Sequence, residues 1–151
     1  MVLWRISNFI DIKGIGGTIA AGRWHHRGRP IVYLGDCPAT SLLEVLVHFE
    51  LELDDLPDSL TLLRVDLPRS ASLIDGRDRL PADWPDNLGA TRRIGDEWLA
   101  RSSSLLYQVP TAIVPYNSNF LFNPAHPDAK KVKLSHSTFP LDPRLLNKKP
   151  S

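Results

Sequence analysis

Residues 30–51 read PIVYLGDCPATSLLEVLVHFEL, a strand followed at once by a helix. Residues 30–35 form a compact β-prone run that ends in a turn. Pro38 suits the first turn of a helix, which we predict to run to about Leu51. That helix is apolar around most of its circumference, which favours a central, buried position in the fold.

The predicted helix carries three polar exceptions that share one face, namely Ser41, Glu44 and His48. A carboxylate buried on an apolar helix is strongly unfavourable unless it has a partner. Glu44 therefore pairs with Arg5 or Arg23, reaches solvent, or lines a functional site. The sequence leaves these alternatives open.

The elements outward from this stretch predict an α+β fold. Strands and helices do not alternate regularly, and 13 prolines interrupt the chain, which argues against a doubly wound parallel sheet. We expect one domain over residues 1–151. The predicted strands are 2–7, 60–67, 109–114, 119–122 and 132–139, the second helix lies within 90–102, and 11–22, 68–90 and the tail from 140 are predicted loops.

Composition excludes several classes of protein. Apolar residues make up 42% of the chain and charged residues 23%, as in ordinary globular proteins. No apolar run approaches the roughly 18 residues of a membrane span, and no signal-peptide pattern is found. The lone Cys37 cannot form an internal disulfide, so we expect a cytoplasmic protein without membrane contact.

Charge is unevenly distributed along the chain although the net charge is only +1. Residues 1–35 carry a net charge of +4, residues 36–100 carry −8, and residues 101–151 carry +5. If the two basic ends meet in the fold, they form a positive surface suited to an anionic ligand. The alternative is that these charges form ordinary solvated faces.

Four side chains together suit a ligand with phosphates, a flat ring and a ribose. Arg5 lies within an apolar strand and needs an anion or several acceptors, and arginine is well adapted to bidentate phosphate binding. Arg23, Tyr33 and Glu44 add a second guanidinium, a phenol and a carboxylate. Tyr33 fits a core aromatic equally well. The combination predicts binding of a dinucleotide such as NAD.

Other sites are not expected. The glycine-rich stretch 14–19 lacks the final glycine of a dinucleotide-binding fingerprint and has no strand–turn–helix frame, so a Rossmann fold is rejected. No helix-turn-helix or RNA-binding pattern is found, so direct nucleic-acid binding is not expected. A metal centre is not expected either, because no metal-ligand spacing links the candidates, which are His25, His26, Cys37, His48, His126 and His136.

A second dense region covers residues 109–127. Thr111, Asn119 and Asn123 are polar residues in an apolar stretch. Turn chemistry explains Asn123, which precedes a proline. Thr111 and Asn119 are candidates for a binding site.

In its order and spacing of motifs the chain resembles the RES-domain toxins of bacterial RES–Xre toxin–antitoxin systems. The motifs that carry this resemblance are LWRI (3–6), GRW (22–24), VYL (32–34), SLLEVLVH (41–48), VPTAI (109–113), NFLFNPAHP (119–127) and DPRL (142–145). Arg5 and Glu44 match the family's arginine and glutamate. Thr111 stands where the family serine is expected.

The resemblance implies a fold similar to ADP-ribosyltransferases and degradation of NAD, which is a substrate rather than a cofactor. The acceptor of ADP-ribose is water, phosphate or a protein. Glu44 would stabilise the positive charge developing on the ribose, and Tyr33 would pack on the nicotinamide or its ribose. Arg5 and Arg23 would hold the pyrophosphate, while two residues would orient the ribose or nicotinamide amide, namely Thr111 and Asn119.

The resemblance also implies an Xre-type helix-turn-helix antitoxin as partner, and it makes a homodimer plausible. Two other classes stay open on the sequence. One is a non-catalytic module that binds a nucleotide or a protein, and the other is an RNA nuclease. An open cleft that gathers Arg5, Tyr33 and Glu44 would favour the enzyme.

Overall fold

The computed structural model describes residues 1–48 and 58–146. Within these ranges seven strands form one mixed sheet in the order β4-β5-β6-β2-β1-β3-β7. Only β4 and β5 run parallel among the described strand pairs. The strands are β1 (Val2–Ser7), β2 (Val32–Gly35), β3 (Ser59–Asp66), β4 (Leu73–Asp75), β5 (Leu106–Pro110), β6 (Ser118–Phe122) and β7 (Lys133–Pro140).

Three α-helices accompany the sheet in the same part of the chain: α1 (Ile15–Ile19), α2 (Pro38–His48) and α3 (Leu88–Arg101). Helix α3 begins at Asn87, whose side chain accepts a hydrogen bond from the Ala90 N–H at 3.0 Å. It ends at Ser102, which adopts the left-handed conformation common after a helix. Together the helices and the sheet confirm the predicted α+β class.

The sheet consists of two halves that meet at one residue pair. Strands β1, β3 and β7 pair over long registers, as do β2, β6 and β5. Between β1 and β2, both fully described, the register contains the pair Trp4 and Gly35 alone. A groove can therefore open along this junction.

The core is continuous behind the junction. Leucines from β1, β2 and β3 belong to one buried cluster that also includes Phe120 and Phe122 of β6. A second cluster around Trp24, Trp98 and Leu121 joins α3 to the sheet. The two halves of the sheet thus share one hydrophobic layer, and the groove at the β1–β2 junction opens outside that layer.

Several predicted boundaries were wrong. The predicted loop 11–22 contains α1, which is held by hydrogen bonds from Gly28 N–H to Gly17 O and from Ile31 N–H to Gly14 O. The predicted strand 109–114 is instead β5, which ends at Pro110. The predicted loop 68–90 contains β4 and the short 3-10 helix Arg77–Arg79. In these segments the local sequence signals are weak, and contacts with the rest of the fold determine the secondary structure.

Helix α2 is less buried than its apolar sequence predicted. Leu43 and Val47 are exposed, whereas the buried residues are Thr40 and Ser41. Its predicted end near Leu51 lies outside the described residues. Helix α2 therefore borders the sheet junction with an exposed apolar side and is not central, which corrects the prediction.

Within residues 1–48 and 58–146, none of the helices combines the length and the hydrophobicity that a membrane crossing requires.

Candidate active site

A cleft of about 400 Å³ opens at the junction between the two halves of the sheet. Its lining comes from β1, β2 and α2, from residues 16–25, and from residues 110–119. Of the predicted site residues, the cleft brings together Arg5, Arg23, Tyr33, Glu44 and Asn119. Thr111 is not part of the lining.

The first turn of α2 is anchored where β1 and β2 separate. Ser41 donates a hydrogen bond from its hydroxyl to the Trp4 carbonyl at 3.0 Å. Gly35 permits this close approach, because a Cβ at that position would lie 2.5 Å from Ser41 Oγ. Glu44 follows one helical turn later and is therefore directed into the cleft.

The Glu44 carboxylate is held by polar neighbours within the cleft. Asn119 Nδ2 donates to Glu44 Oε1 at 2.6 Å, and Glu44 Oε2 lies 3.8 Å from His48 Nε2. The Glu44 side chain keeps an exposed fraction of 26%. No salt bridge joins it to Arg5 or Arg23 in the described part of the chain, so those alternatives for its partner were wrong.

Arg5 is a half-buried guanidinium with an incomplete set of acceptors. Its Nη1 donates to the Asp11 carbonyl at 3.2 Å. Burial lowers the pKa of Arg5, and the charge of Asp11 partly opposes that effect. No carboxylate lies within salt-bridge distance of it among residues 1–48 and 58–146. Its remaining donors are available to an anion in the cleft.

Arg23 is oriented by two residues that lie outside the cleft lining. Its Nη1 donates to the Pro85 carbonyl at 2.9 Å, and its guanidinium carbon lies 5.9 Å from the centre of the Trp84 ring. Trp84 stacks in turn on the buried Trp24 at 5.8 Å between ring centres. Packing therefore fixes the arginine while leaving further N–H groups free for a ligand.

Tyr33 lies between the core and the cleft. Its ring packs beside the second core cluster and also lines the cleft. The hydroxyl oxygen accepts a hydrogen bond from the Trp24 N–H at 3.1 Å and lies 2.7 Å from His25 Nδ1. Burial raises the pKa of the Tyr33 phenol far above its usual value, so the hydroxyl stays protonated at neutral pH.

Asn119 has one acceptor without a partner. Its Nδ2 serves Glu44, while its buried Oδ1 has no hydrogen-bond partner in the described structure. Buried polar atoms without partners are uncommon, and a donor from a ligand would satisfy this one.

Thr111 has a structural explanation. Its hydroxyl accepts from the Val114 N–H at 2.7 Å and donates to the Val114 carbonyl at 3.0 Å. Both hydrogen-bonding functions of the hydroxyl are thus used within one turn. Its predicted role in substrate binding stays a prediction.

Thr111→Val removes both hydrogen bonds of this turn but preserves the shape of the side chain. We expect the free energy of unfolding to fall by about 1 kcal/mol, the typical contribution of such bonds. Thr111→Ser is the matched control, because it keeps the hydroxyl. Urea unfolding of the three proteins measures the difference, and equal stability of valine and serine variants would contradict this role.

The sequence identified His25 and His48 as candidate metal ligands and put His48 on the face of Glu44, but neither was predicted to lie in the binding site. Both line the cleft. His48 was recognisable from its spacing of four residues from Glu44 on one helix. No local signal marked His25, because its partners are brought together only by the fold. In the described ranges, no group of three His, Cys, Asp or Glu side chains could hold a metal ion.

Comparison with known proteins covers almost the whole chain. The RES domain family model matches residues 2–142. The chain is 43% identical over 148 residues to Toxin Res of Pseudomonas putida, covering 96% of this chain and 99% of that protein. It is 33% identical over 144 residues to the Prs ADP-ribosylating toxin of Sphingobium sp., covering 91% and 88% respectively.

A solved structure supports the fold. The crystal structure of the M. tuberculosis MbcT–MbcA toxin–antitoxin complex contains a chain that aligns with a TM-score of 0.73 and 16% identity. The alignment covers 96% of this chain and 86% of that chain. At 16% sequence identity, this similarity concerns the fold alone.

Proposed function

The chain belongs to the RES domain family, and from that premise we propose that it cleaves NAD between nicotinamide and ribose. The family resemblance predicted from the sequence is thereby confirmed. We also propose that the chain acts as the toxin of a toxin–antitoxin system, which the name of its Pseudomonas putida relative, Toxin Res, supports. The name of the Sphingobium relative, an ADP-ribosylating toxin, supports chemistry on NAD.

The observation that carries the proposal is the meeting of Glu44 with two arginines and a tyrosine in one open cleft. A volume of about 400 Å³ lies within the range of small-molecule sites. Glu44 is not neutralised by either arginine in the described structure. Its negative charge is thus available to a cationic ligand group.

The two arginines suit the pyrophosphate of NAD. Arg5 and Arg23 enter the cleft from different walls, and each has a backbone carbonyl as partner. A carbonyl orients a guanidinium without cancelling its charge. The free N–H groups of both side chains can then form charge-assisted hydrogen bonds with phosphate oxygens.

Glu44 would act on the ribose as the glycosidic bond breaks. The bond from C1′ to the nicotinamide nitrogen takes its electron pair onto the ring, and nicotinamide leaves as a neutral molecule. Positive charge develops on the ribose, as in other glycoside cleavages, and a nearby carboxylate stabilises it. The acceptor then bonds to C1′ and releases a proton.

Asn119 would contribute in two ways. Its Nδ2 fixes the Glu44 carboxylate at 2.6 Å, and its unpartnered Oδ1 can accept from a ribose hydroxyl or the nicotinamide amide. Tyr33 presents its ring to the same cleft, where it would pack on the nicotinamide or ribose.

Nicotinamide release from NAD by the purified full chain tests the proposal. Parallel reactions in water, in phosphate and with candidate protein acceptors distinguish the products by mass spectrometry. We expect NAD to disappear with stoichiometric nicotinamide release in at least one reaction. Binding of NAD without turnover in any of them would favour the non-catalytic binding module.

We further propose an Xre-type helix-turn-helix antitoxin as the partner. Four exposed apolar side chains lie on the two helices that contribute residues to the cleft lining, namely Ile15 and Ile19 on α1 and Leu43 and Val47 on α2, and Val47 itself lines the cleft. Such a patch suits a protein partner that covers the entrance. Co-expression with the neighbouring Xre-like protein should abolish toxicity, and persistent toxicity with the partner in excess would contradict the pairing.

A further inference from the structure

We infer that His25 is a positioning residue that holds Tyr33 in place for the reaction through a directed chain of hydrogen bonds. His25 is only 3% exposed, and the chemistry proposed above does not use it. It lies in the cleft wall between α1 and β2. This inference rests on the proposed function, because it assigns a role in that reaction.

The surroundings of Nε2 determine which nitrogen of His25 carries the hydrogen. Nε2 lies 3.0 Å from the Ala20 carbonyl oxygen and 3.3 Å from the Gly17 carbonyl oxygen. Carbonyl oxygens only accept hydrogen bonds, so Nε2 must be a donor. In the neutral imidazole, Nδ1 is then an acceptor.

Nδ1 in turn determines the direction of the Tyr33 hydroxyl. The Tyr33 oxygen accepts from the Trp24 N–H at 3.1 Å, so it already has a donor. Its own hydrogen points to His25 Nδ1 at 2.7 Å. Every donor in this chain of hydrogen bonds therefore has an acceptor, and the chain links α1 to the tyrosine. The hydroxyl is fully engaged, which leaves the ring as the part presented to a ligand.

Burial favours the neutral form of His25, and the surrounding polar and charged groups only partly oppose it. Burial lowers the pKa of His25, while the Gly17 and Ala20 carbonyls and the charge of Asp96 on α3 raise it. Arg92, also on α3, lowers it. Protonation would place a second N–H against the Tyr33 oxygen and deprive the hydroxyl hydrogen of its acceptor.

The direction of the pH effect follows from this geometry. Because the pKa of His25 is lowered below its ordinary value, the neutral form dominates at pH 7. We expect kcat/KM to fall as His25 becomes protonated at acid pH. Because the pKa of His25 is lower in the folded than in the unfolded chain, the unfolded state binds a proton first as the pH falls. The protein therefore loses stability as the pH falls below the unfolded pKa of about 6.5.

The tautomer of His25 can be measured independently of activity. Nitrogen-15 NMR of the full chain at pH 7 should show a neutral ring with hydrogen on Nε2. The exposed His136 provides a reference in the same spectrum. A neutral ring with hydrogen on Nδ1, or a charged ring, would overturn the inference.

A double-mutant cycle tests whether His25 acts through Tyr33. His25→Phe keeps a flat ring but removes both nitrogens, and Tyr33→Phe removes only the hydroxyl. We expect His25→Phe to lower kcat/KM about tenfold in the wild-type background, within the range of coupling between contacting residues. In the Tyr33→Phe background it should cause no further loss. Equal losses in both backgrounds would overturn the inference.

The pH profile separates this role from a purely structural one. The pH profile of His25→Phe should lack the acid limb of the wild-type profile, whereas mere loss of folded protein would lower the whole profile.

If the wild-type chain leaves NAD intact, the proposed function fails. The double-mutant cycle is then measured on the Kd for ADP-ribose. Additive effects of the two substitutions would overturn the role of His25, and non-additive effects would support it.

Discussion

Glu44→Gln is expected to lower the rate of NAD consumption by about 10²–10³-fold, the usual effect of removing one electrostatic contact to a transition state. Glutamine keeps an oxygen that can accept from Asn119 Nδ2, so the local geometry is retained. Only the negative charge is lost. The loss should therefore appear in kcat and leave the affinity for NAD almost unchanged.

Asp128→Asn is the matched control for the Glu44 variant. Its side chain is exposed to the same 26% and also has a basic partner, Lys131. Asp128 is not part of the cleft lining. Initial rates of nicotinamide release measure both variants. A Glu44→Gln protein with a rate within threefold of the wild type would exclude the proposed role of its carboxylate.

Gly95→Ala is expected to have the largest effect on stability. Gly95 is buried in α3, and an added Cβ would overlap the Trp24 carbonyl oxygen. The backbone at both positions must move apart. We expect the free energy of unfolding to fall by about 3 kcal/mol, the upper end of typical overpacking costs. For a chain of this length that corresponds to a Tm decrease of roughly 6–12 °C.

The segment that Gly95 supports also carries the cleft wall. Thr91 Oγ1 donates to the Arg23 carbonyl at 2.7 Å, and Arg92 Nε donates to the Gly22 carbonyl at 2.8 Å. Displacing α3 from this segment should weaken NAD binding as well as the fold.

Gly89→Ala on the same helix is the matched control. Gly89 is exposed, and an added Cβ would meet only Asn87 Oδ1 at an ordinary 3.8 Å. Alanine is the better helix former by up to about 1 kcal/mol, so this variant should be at least as stable as the wild type. Thermal unfolding compares the proteins. Equal Tm values for Gly95→Ala and the wild type would contradict the close packing of α3 on Trp24.

The sequence predicted elements correctly where the local pattern of apolar residues specifies them. The β-prone run around Tyr33 and the strand containing Arg5 were located within one or two residues, because apolar patterning specifies them. Glu44 attracted attention because a carboxylate on an apolar helix demands an explanation. The apolar periodicity of α2 did not reveal that Leu43 and Val47 are exposed, because an apolar helix face can contact either the protein core or a binding partner.

Long-range partners were inaccessible to the same reasoning. Asn119 is 75 residues from Glu44, and charge alone suggested an arginine in its place. His25 depends on two backbone carbonyls from α1 and its end, so its sequence neighbours could not indicate its role. Strand β4 is short and exposed at two of its three residues, and only parallel pairing with β5 identifies it.

Because β1 and β2 meet at only one residue pair, buried core residues can determine the width of the cleft. A full ladder would fix neighbouring strands at about 4.8 Å. Beyond Trp4 and Gly35, the separation depends instead on the buried layer that includes Leu3, Leu34 and Leu63. Under the proposed NAD chemistry, replacing these leucines would change the width of the cleft and with it the acceptor that fits beside the ribose, without any change in the residues that touch the ligand.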